Sequence, residues 1–110
     1  IWRTDTGAHH VEASMPNGIG LDFDSPELAQ RYNVGWNPES GKCLIGFAVA
    51  SREAVDERFA ELTSAGHKGL QPPYDAFWGA RYAIVEDPDG NQVGLMCPVD
   101  ESRQTAPPSI

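Results

Sequence analysis

The amino-acid sequence predicts an α+β fold, and three stretches carry the prediction. Pro88 presets φ for the first central position of a turn, and Gly90 and Asn91 tolerate positive φ, so Asp87-Pro88-Asp89-Gly90-Asn91 reverses the chain. The runs on either side alternate with period 2: Tyr82, Ile84 and Glu86 against Ala83 and Val85, then Val93, Leu95 and Cys97 against Gln92, Gly94 and Met96. That pattern predicts a hairpin. Between Ser51 and Gly66, Val55, Phe59 and Leu62 recur at helical spacing, and the apolar run from Cys43 to Ala50 has strand length.

Taken in order, Ile1 to Asp5 and His9 to Met15 are strand candidates, and Pro16-Asn17-Gly18 turns the chain into a returning strand, Ile19 to Asp24. Leu21 and Phe23 share one face of that strand, Asp22 and Asp24 the other. Ser25-Pro26-Glu27 has the cap and first-turn chemistry of a short helix, Glu27 to Tyr32, followed by a polar loop from Asn33 to Lys42. The run Cys43 to Ala50 lacks alternation, as expected of a strand buried on both faces. Ser51 caps the helix, Glu53 and Asp56 lie near its positive end, and Gly66 stands where a left-handed C-terminal residue belongs. His67 to Leu70 opens a further strand, and Gln71 to Asp75 is irregular, leading into Phe77-Trp78. After Asp100 the apolar pattern ends, and the tail is expected to be either disordered or laid over a partner subunit.

A chain of 110 residues holds one core, so a single domain is expected. The net charge of -8 argues against nucleic acid or an anionic membrane surface as partner, because phosphate binding needs clustered Lys and Arg. A neutral or cationic ligand suits it better, although acidity also keeps a protein soluble. Cys43 and Cys97 make neither a disulfide framework nor a Cys-x-x-Cys site, which points to a reducing cytoplasm, and both are expected as small buried hydrophobes. No apolar run approaches the about 20 residues that span a bilayer. The start at Ile1 suggests sequence upstream.

From Cys43 to Val99 the predicted order is strand, helix, strand, strand, strand. Together with Phe77-Trp78-Gly79-x-Arg81 and Asp87-Pro88-x-Gly90-Asn91, this resembles the vicinal oxygen chelate superfamily of glyoxalase I, extradiol dioxygenases and bleomycin resistance proteins. The resemblance implies paired βαβββ modules forming a curved mixed sheet that cups a ligand. Residues 1–24 would be a partial first module lacking its first strand and helix, 25–42 a linker with the short helix, and 43–100 a complete second module, in one domain over 1–100 with the tail 101–110. A faint repeat agrees: Pro16-Asn17-Gly18-Ile19-Gly20-Leu21-Asp22-Phe23 parallels Pro88-Asp89-Gly90-Asn91-Gln92-Val93-Gly94-Leu95, with Asp22 opposite Gly94.

Enzymes of that superfamily chelate a divalent metal from the first and last strands of each module, commonly with His on the first and a carboxylate or amide on the last. In this sequence the corresponding second-module positions are Leu44 and Gly94, which cannot ligate. Asp22 matches the first module's carboxylate, and its first-strand partner would precede Ile1. So few ligands hold a hard cation weakly. The resemblance therefore implies a metal-free binder of the bleomycin-resistance type, acting by sequestration as a homodimer and without a cofactor.

Tyr74, Phe77 and Trp78 sit in a loop rather than along a helical stripe, so they are candidates to stack on an aromatic or cationic ligand. Met96 shares the face of Gly94, whose small size would leave room in the cup, and Trp2 and Trp36 are secondary candidates. Packing of Trp78 against the sheet is the plainer expectation for that residue, and Arg81 is expected to pair with a carboxylate. The competing class is a lyase, isomerase or dioxygenase with a metal at His10, Glu12 and Asp22, since His10 and Glu12 share a strand face near Asp22 or Asp24. Set against it is a pair of half-exposed histidines with Glu12 pairing to Arg3.

Overall fold

The structure, a computed structural model, describes residues 2–3, 9–39 and 43–107. The side chains of Trp2, Arg3 and His9 lie outside the described residues, as does the rest of the strand expected from Ile1 to Asp5. The chain divides into two compact units, the described residues before Asn33 and Asn33–Pro107.

The first unit is an antiparallel sheet in the order β1-β2-β3, with β1 Trp2–Arg3, β2 His9–Ser14 and β3 Gly20–Asp24, followed by α1 Pro26–Tyr32. Its hairpin turns on Gly18, at φ 86°, with Met15 N donating to Ile19 O at 2.8 Å and Gly18 N to Met15 O at 3.0 Å. Ser25 caps α1 through Oγ, which accepts from Leu28 N at 3.4 Å. In the β2–β3 register, Glu12 stands opposite Asp22 and His10 opposite Asp24, while Val11 pairs with Phe23 on the other face.

The second unit holds β4 Leu44–Ala48, α2 Arg52–Ser64, β5 Gly69–Asp75, β6 Arg81–Glu86 and β7 Gln92–Met96. The order in the sheet is β4-β7-β6-β5, with β4 parallel to β7 and the other pairs antiparallel. This is the predicted strand, helix, strand, strand, strand. Ser51 Oγ accepts from Ala54 N at 3.1 Å to cap α2. At the other end Gly66, at φ 100°, lets Gly66 N reach Thr63 O and His67 N reach Leu62 O, a Schellman closure. The β6–β7 turn repeats the first unit's hairpin: Gly90 has φ 84°, Asp87 N donates to Asn91 O at 2.9 Å, and Gly90 N to Asp87 O at 3.0 Å. The faint repeat in the sequence is thus a repeat of turn geometry.

Val55 of α2 packs with Ala80, Ala83, Leu95 and Cys97, flanked by Phe59 and Leu62. Val55 and Ile84 are fully buried, and burial of such a side chain contributes about 1.5–3 kcal/mol.

Three expectations need correction. The run from Cys43 to Ala50 is not buried on both faces: β4 is an edge strand, α2 rests over β5, β6 and β7, and Ile45 and Phe47 are 59% and 56% exposed. Cys43, just ahead of that edge, is exposed with it, whereas Cys97 is buried. Of the two alternatives for the tail, disorder does not hold over its described length. Glu101–Arg103 forms a turn of 3₁₀ helix, Asp100 N donates to Gly79 O and Thr105 N to Phe77 O, so residues 100–105 lie on the chain's own aromatic loop. Finally, Gln71 to Asp75 is strand, with register shifts around Pro72-Pro73, which lack amide donors for the ladder.

Candidate functional site

The face of the second sheet turned away from α2 carries Tyr82, Gly94 and Met96, by strand alternation from the core residues Ala83 and Leu95. Gly94 is the centre of this face, and the space beside it is filled. A Cβ built on Gly94 would stand 2.8 Å from Leu44 Cδ2 and 3.0 Å from Tyr82 Oη. The room that the sequence suggested at Gly94 is therefore taken by two side chains that arrive from the neighbouring strands. Neither Leu44 nor Gly94 carries a side-chain donor, so these two positions do not fit a metal.

Next to it lies a group of four rings. Tyr74 on β5 pairs across the ladder with Tyr82 on β6, their centroids 6.4 Å apart. Trp78 stands edge-on to Tyr82 at 5.3 Å and to Phe77 at 5.2 Å. The indole Nε1 donates to Met96 Sδ at 3.2 Å. These edge-to-face contacts stabilise the loop, so Trp78 does pack against the sheet; yet Tyr74, Phe77, Trp78 and Met96 all remain half-buried. Burial pushes the Tyr74 phenol well above its ordinary pKa, so the ring stays neutral. Gly79, at φ 94°, closes the loop, and a Cβ there would meet Asp100 O at 2.4 Å.

Trp36 is half-buried on the segment after α1. That segment is anchored in a way the sequence did not reveal: Asn33, 1% exposed, donates through Nδ2 to Gln92 Oε1 at 2.8 Å, and Val34 N donates to Gln71 Oε1 at 3.0 Å. Arg81 pairs as expected, with Asp56 at 2.9 Å and Asp75 at 3.2 Å. Arg52 also pairs with Asp75, and its hydrogen bond, followed by that from Arg81, holds the Asp75 carboxyl below its ordinary pKa. A shallow cleft of about 360 Å³ opens between Arg52 and Arg103. Arg103 comes from a tail whose docking no sequence pattern announced.

The first unit assembles its own cluster. His10, Glu12 and Asp22 each bring one ligand-capable atom to within 4.8 Å of the others. His10 Nδ1 is 2.5 Å from Asp24 Oδ1 and Nε2 is 3.4 Å from Glu12 Oε2. Tyr32 Oη donates to Asp24 Oδ2 at 3.2 Å. Burial works against a charged imidazole here, but the hydrogen bond and charge of Asp24, aided by Glu12 and Asp22, outweigh it and raise the His10 pKa. Burial also raises Asp22, with the charges of Glu12 and Asp24 adding to it against the pull of His10. Among the described residues, no helix is long and apolar enough to cross a membrane.

Residues 1–95 match the model of the glyoxalase/bleomycin resistance protein/dioxygenase superfamily. No curated protein matches. Among solved structures, the chain is similar to the hypothetical protein SA1046 of Staphylococcus aureus, with 25% identity over 55% of this chain and 52% of that one, at a TM-score of 0.50. It is similar to a Legionella pneumophila protein described as an NAD-dependent benzaldehyde dehydrogenase, with 23% identity over 88% of this chain and 75% of that one, at a TM-score of 0.60. A glyoxalase/bleomycin resistance protein/dioxygenase from Nocardioides shares 17% identity over 91% of this chain and 66% of its own, at 0.51. The chain thus spans about half of the first of these and 66% of the third. At 23% and 17% identity the last two likenesses concern fold alone.

Proposed function

This chain belongs to the glyoxalase/bleomycin resistance protein/dioxygenase superfamily, and from that premise we propose that it is a small-molecule-binding member. In this proposal an aromatic or cationic ligand lies on the Gly94 face of the second unit, with no tightly bound metal there. The observation that carries the proposal is the packing at Gly94. Leu44 and Tyr82 fill the space from which a metal ligand would project, and half-buried Tyr74, Phe77 and Trp78 stand beside it. Rings of this kind bind flat or cationic groups through stacking and their negative faces. The net charge of -8 raises the local concentration of cations.

Sequestration asks for burial and complementary charge rather than a catalytic group. A homodimer belongs to the same proposal, supported by the exposed Ile45 and Phe47 on the edge strand β4. So does a cytoplasmic setting, supported by the two free thiols, Cys43 and Cys97.

Calorimetric titration with a bleomycin and with acridine orange, both in EDTA, tests the proposal. At least one probe is expected to bind, and Phe77→Ala and Trp78→Ala each to weaken it by about tenfold, the upper end for one aromatic contact. Absence of binding by both probes, or undiminished affinity in both variants, would count against it.

A further inference from the structure

We infer that the tail from Asp100 to Thr105 is a strap that sets the position of Phe77 and Trp78, and that its release weakens binding on the Gly94 face; the second part rests on the reading proposed above. Two amides of the tail hold the two carbonyls on either side of Trp78. Asp100 N donates to Gly79 O at 2.9 Å, and Thr105 N to Phe77 O at 2.8 Å. The turn of the loop itself uses other acceptors, with Ala76 N donating to Ala80 O at 2.9 Å and Gly79 N to Ala76 O at 3.0 Å. Gly79 permits the close approach, since a Cβ there would meet Asp100 O at 2.4 Å and Gln104 Cγ at 3.0 Å.

The strap is shaped from within. Asp100 Oδ1 accepts from Ser102 N at 3.0 Å and from Ser102 Oγ at 2.6 Å, and Arg103 Nε lies 3.3 Å from Asp100 Oδ2. These bonds cap the 3₁₀ turn Glu101–Arg103, which returns the chain to Phe77. Residues 98–107 are all exposed, and the cleft of about 360 Å³ opens between residues 102–105 and Arg52, Asp75 and Ala76. An exposed segment held by a few hydrogen bonds opens at low free energy. Trp78 therefore has two holds of different kinds: its indole is tied to β7 through Met96 Sδ at 3.2 Å, and its flanking backbone is tied to the tail. Asp100 and Thr105 are positioning residues, acting on a ligand through the loop backbone. A ligand on the rings favours the closed strap, and the closed strap favours the ligand by the same factor.

Thr105→Pro tests the inference, because it deletes the N–H donor while Gln104 before it already has the extended ψ of 138° that a following proline requires. Thr105→Ala keeps the amide and is the control. In the ligand-free chain, hydrogen exchange at the Gly79 amide and the Trp78 indole N–H should quicken about two- to tenfold in Thr105→Pro, the effect of one net hydrogen bond, and stay unchanged in Thr105→Ala. Acridine orange in EDTA should bind Thr105→Pro weaker by about the same factor and Thr105→Ala as it binds the wild type. Saturating dye should slow exchange of the Thr105 amide in the wild type. Circular dichroism checks that each variant is folded. Unchanged exchange at both N–H groups in Thr105→Pro would overturn the inference whether or not the dye binds, and so would undiminished affinity in that variant where the wild type binds. Absence of dye binding by the wild type counts against the ligand face, and the exchange rates still decide the strap.

Discussion

Leu44 on the edge strand β4 leans over the neighbouring strand β7 so that its Cδ2 lies 2.8 Å from where a Cβ on Gly94 would stand. One pair of residues thereby closes the position that, in a chelating relative, the resemblance would assign to a metal ligand. Gly94→Ala would have to push aside both Leu44 and Tyr82 Oη, which is an overpacking change. Leu44 is half-buried and can yield, so a loss of about 1 kcal/mol is expected, the low end for overpacking. The double variant with Leu44→Ala should recover part of the overpacking penalty relative to Leu44→Ala alone. Urea midpoints of the four proteins of this cycle measure it, and a fully additive cycle would contradict the contact.

Gly79 and Gly90 both have positive φ, but only Gly79 has backbone in its way, with Asp100 O at 2.4 Å from the added Cβ. Gly90→Ala should cost about 1–2 kcal/mol from φ alone. Gly79→Ala should cost more, because relief requires the tail to leave the aromatic loop. Hydrogen exchange at the Thr105 amide, which donates to Phe77 O, should quicken in Gly79→Ala and not in Gly90→Ala.

Much of the second unit was legible because its signals are local. The Asp-Pro-Asp-Gly-Asn turn, the Ser51 cap and the Gly66 closure each follow from a few adjacent residues, and the structure uses all three. The exposure of Ile45 and Phe47 was not legible, because an apolar run reports strand length and hydrophobicity but not whether a neighbour lies on each side. The Asn33–Gln92 hydrogen bond joins residues 59 positions apart, beyond any short-range pattern. In the candidate site, period 2 placed Gly94 and Met96 on one face, yet the presence of Tyr82 on that face depends on the β6–β7 register, and the filling of the space at Gly94 on Leu44 from a parallel strand. The His10, Glu12 and Asp22 cluster was anticipated as to residues, whereas the hold of Asp24 and Tyr32 on His10 needed the fold.

Asp75 makes stability depend on pH. Its folded pKa is depressed, first by the hydrogen bond from Arg52 and then by that from Arg81. A depressed carboxyl contributes stability that is fully present above the unfolded value, about 3.9, and is lost as pH falls through the folded value. The side chain is 61% exposed, so the effect is screened and small. Urea midpoints from pH 6 downward should fall more steeply in the wild type than in Asp75→Asn below about pH 4; parallel curves would show that the pairs contribute nothing.

The most direct test of a ligand on the Gly94 face is to see where a ligand lands. ¹H–¹⁵N and methyl NMR spectra recorded during titration with acridine orange in EDTA should show the largest shifts at the Trp78 indole, the Phe77 amide and the methyl groups of Leu44 and Met96. Saturable shifts confined instead to other surfaces, such as the cleft between Arg52 and Arg103, would contradict it.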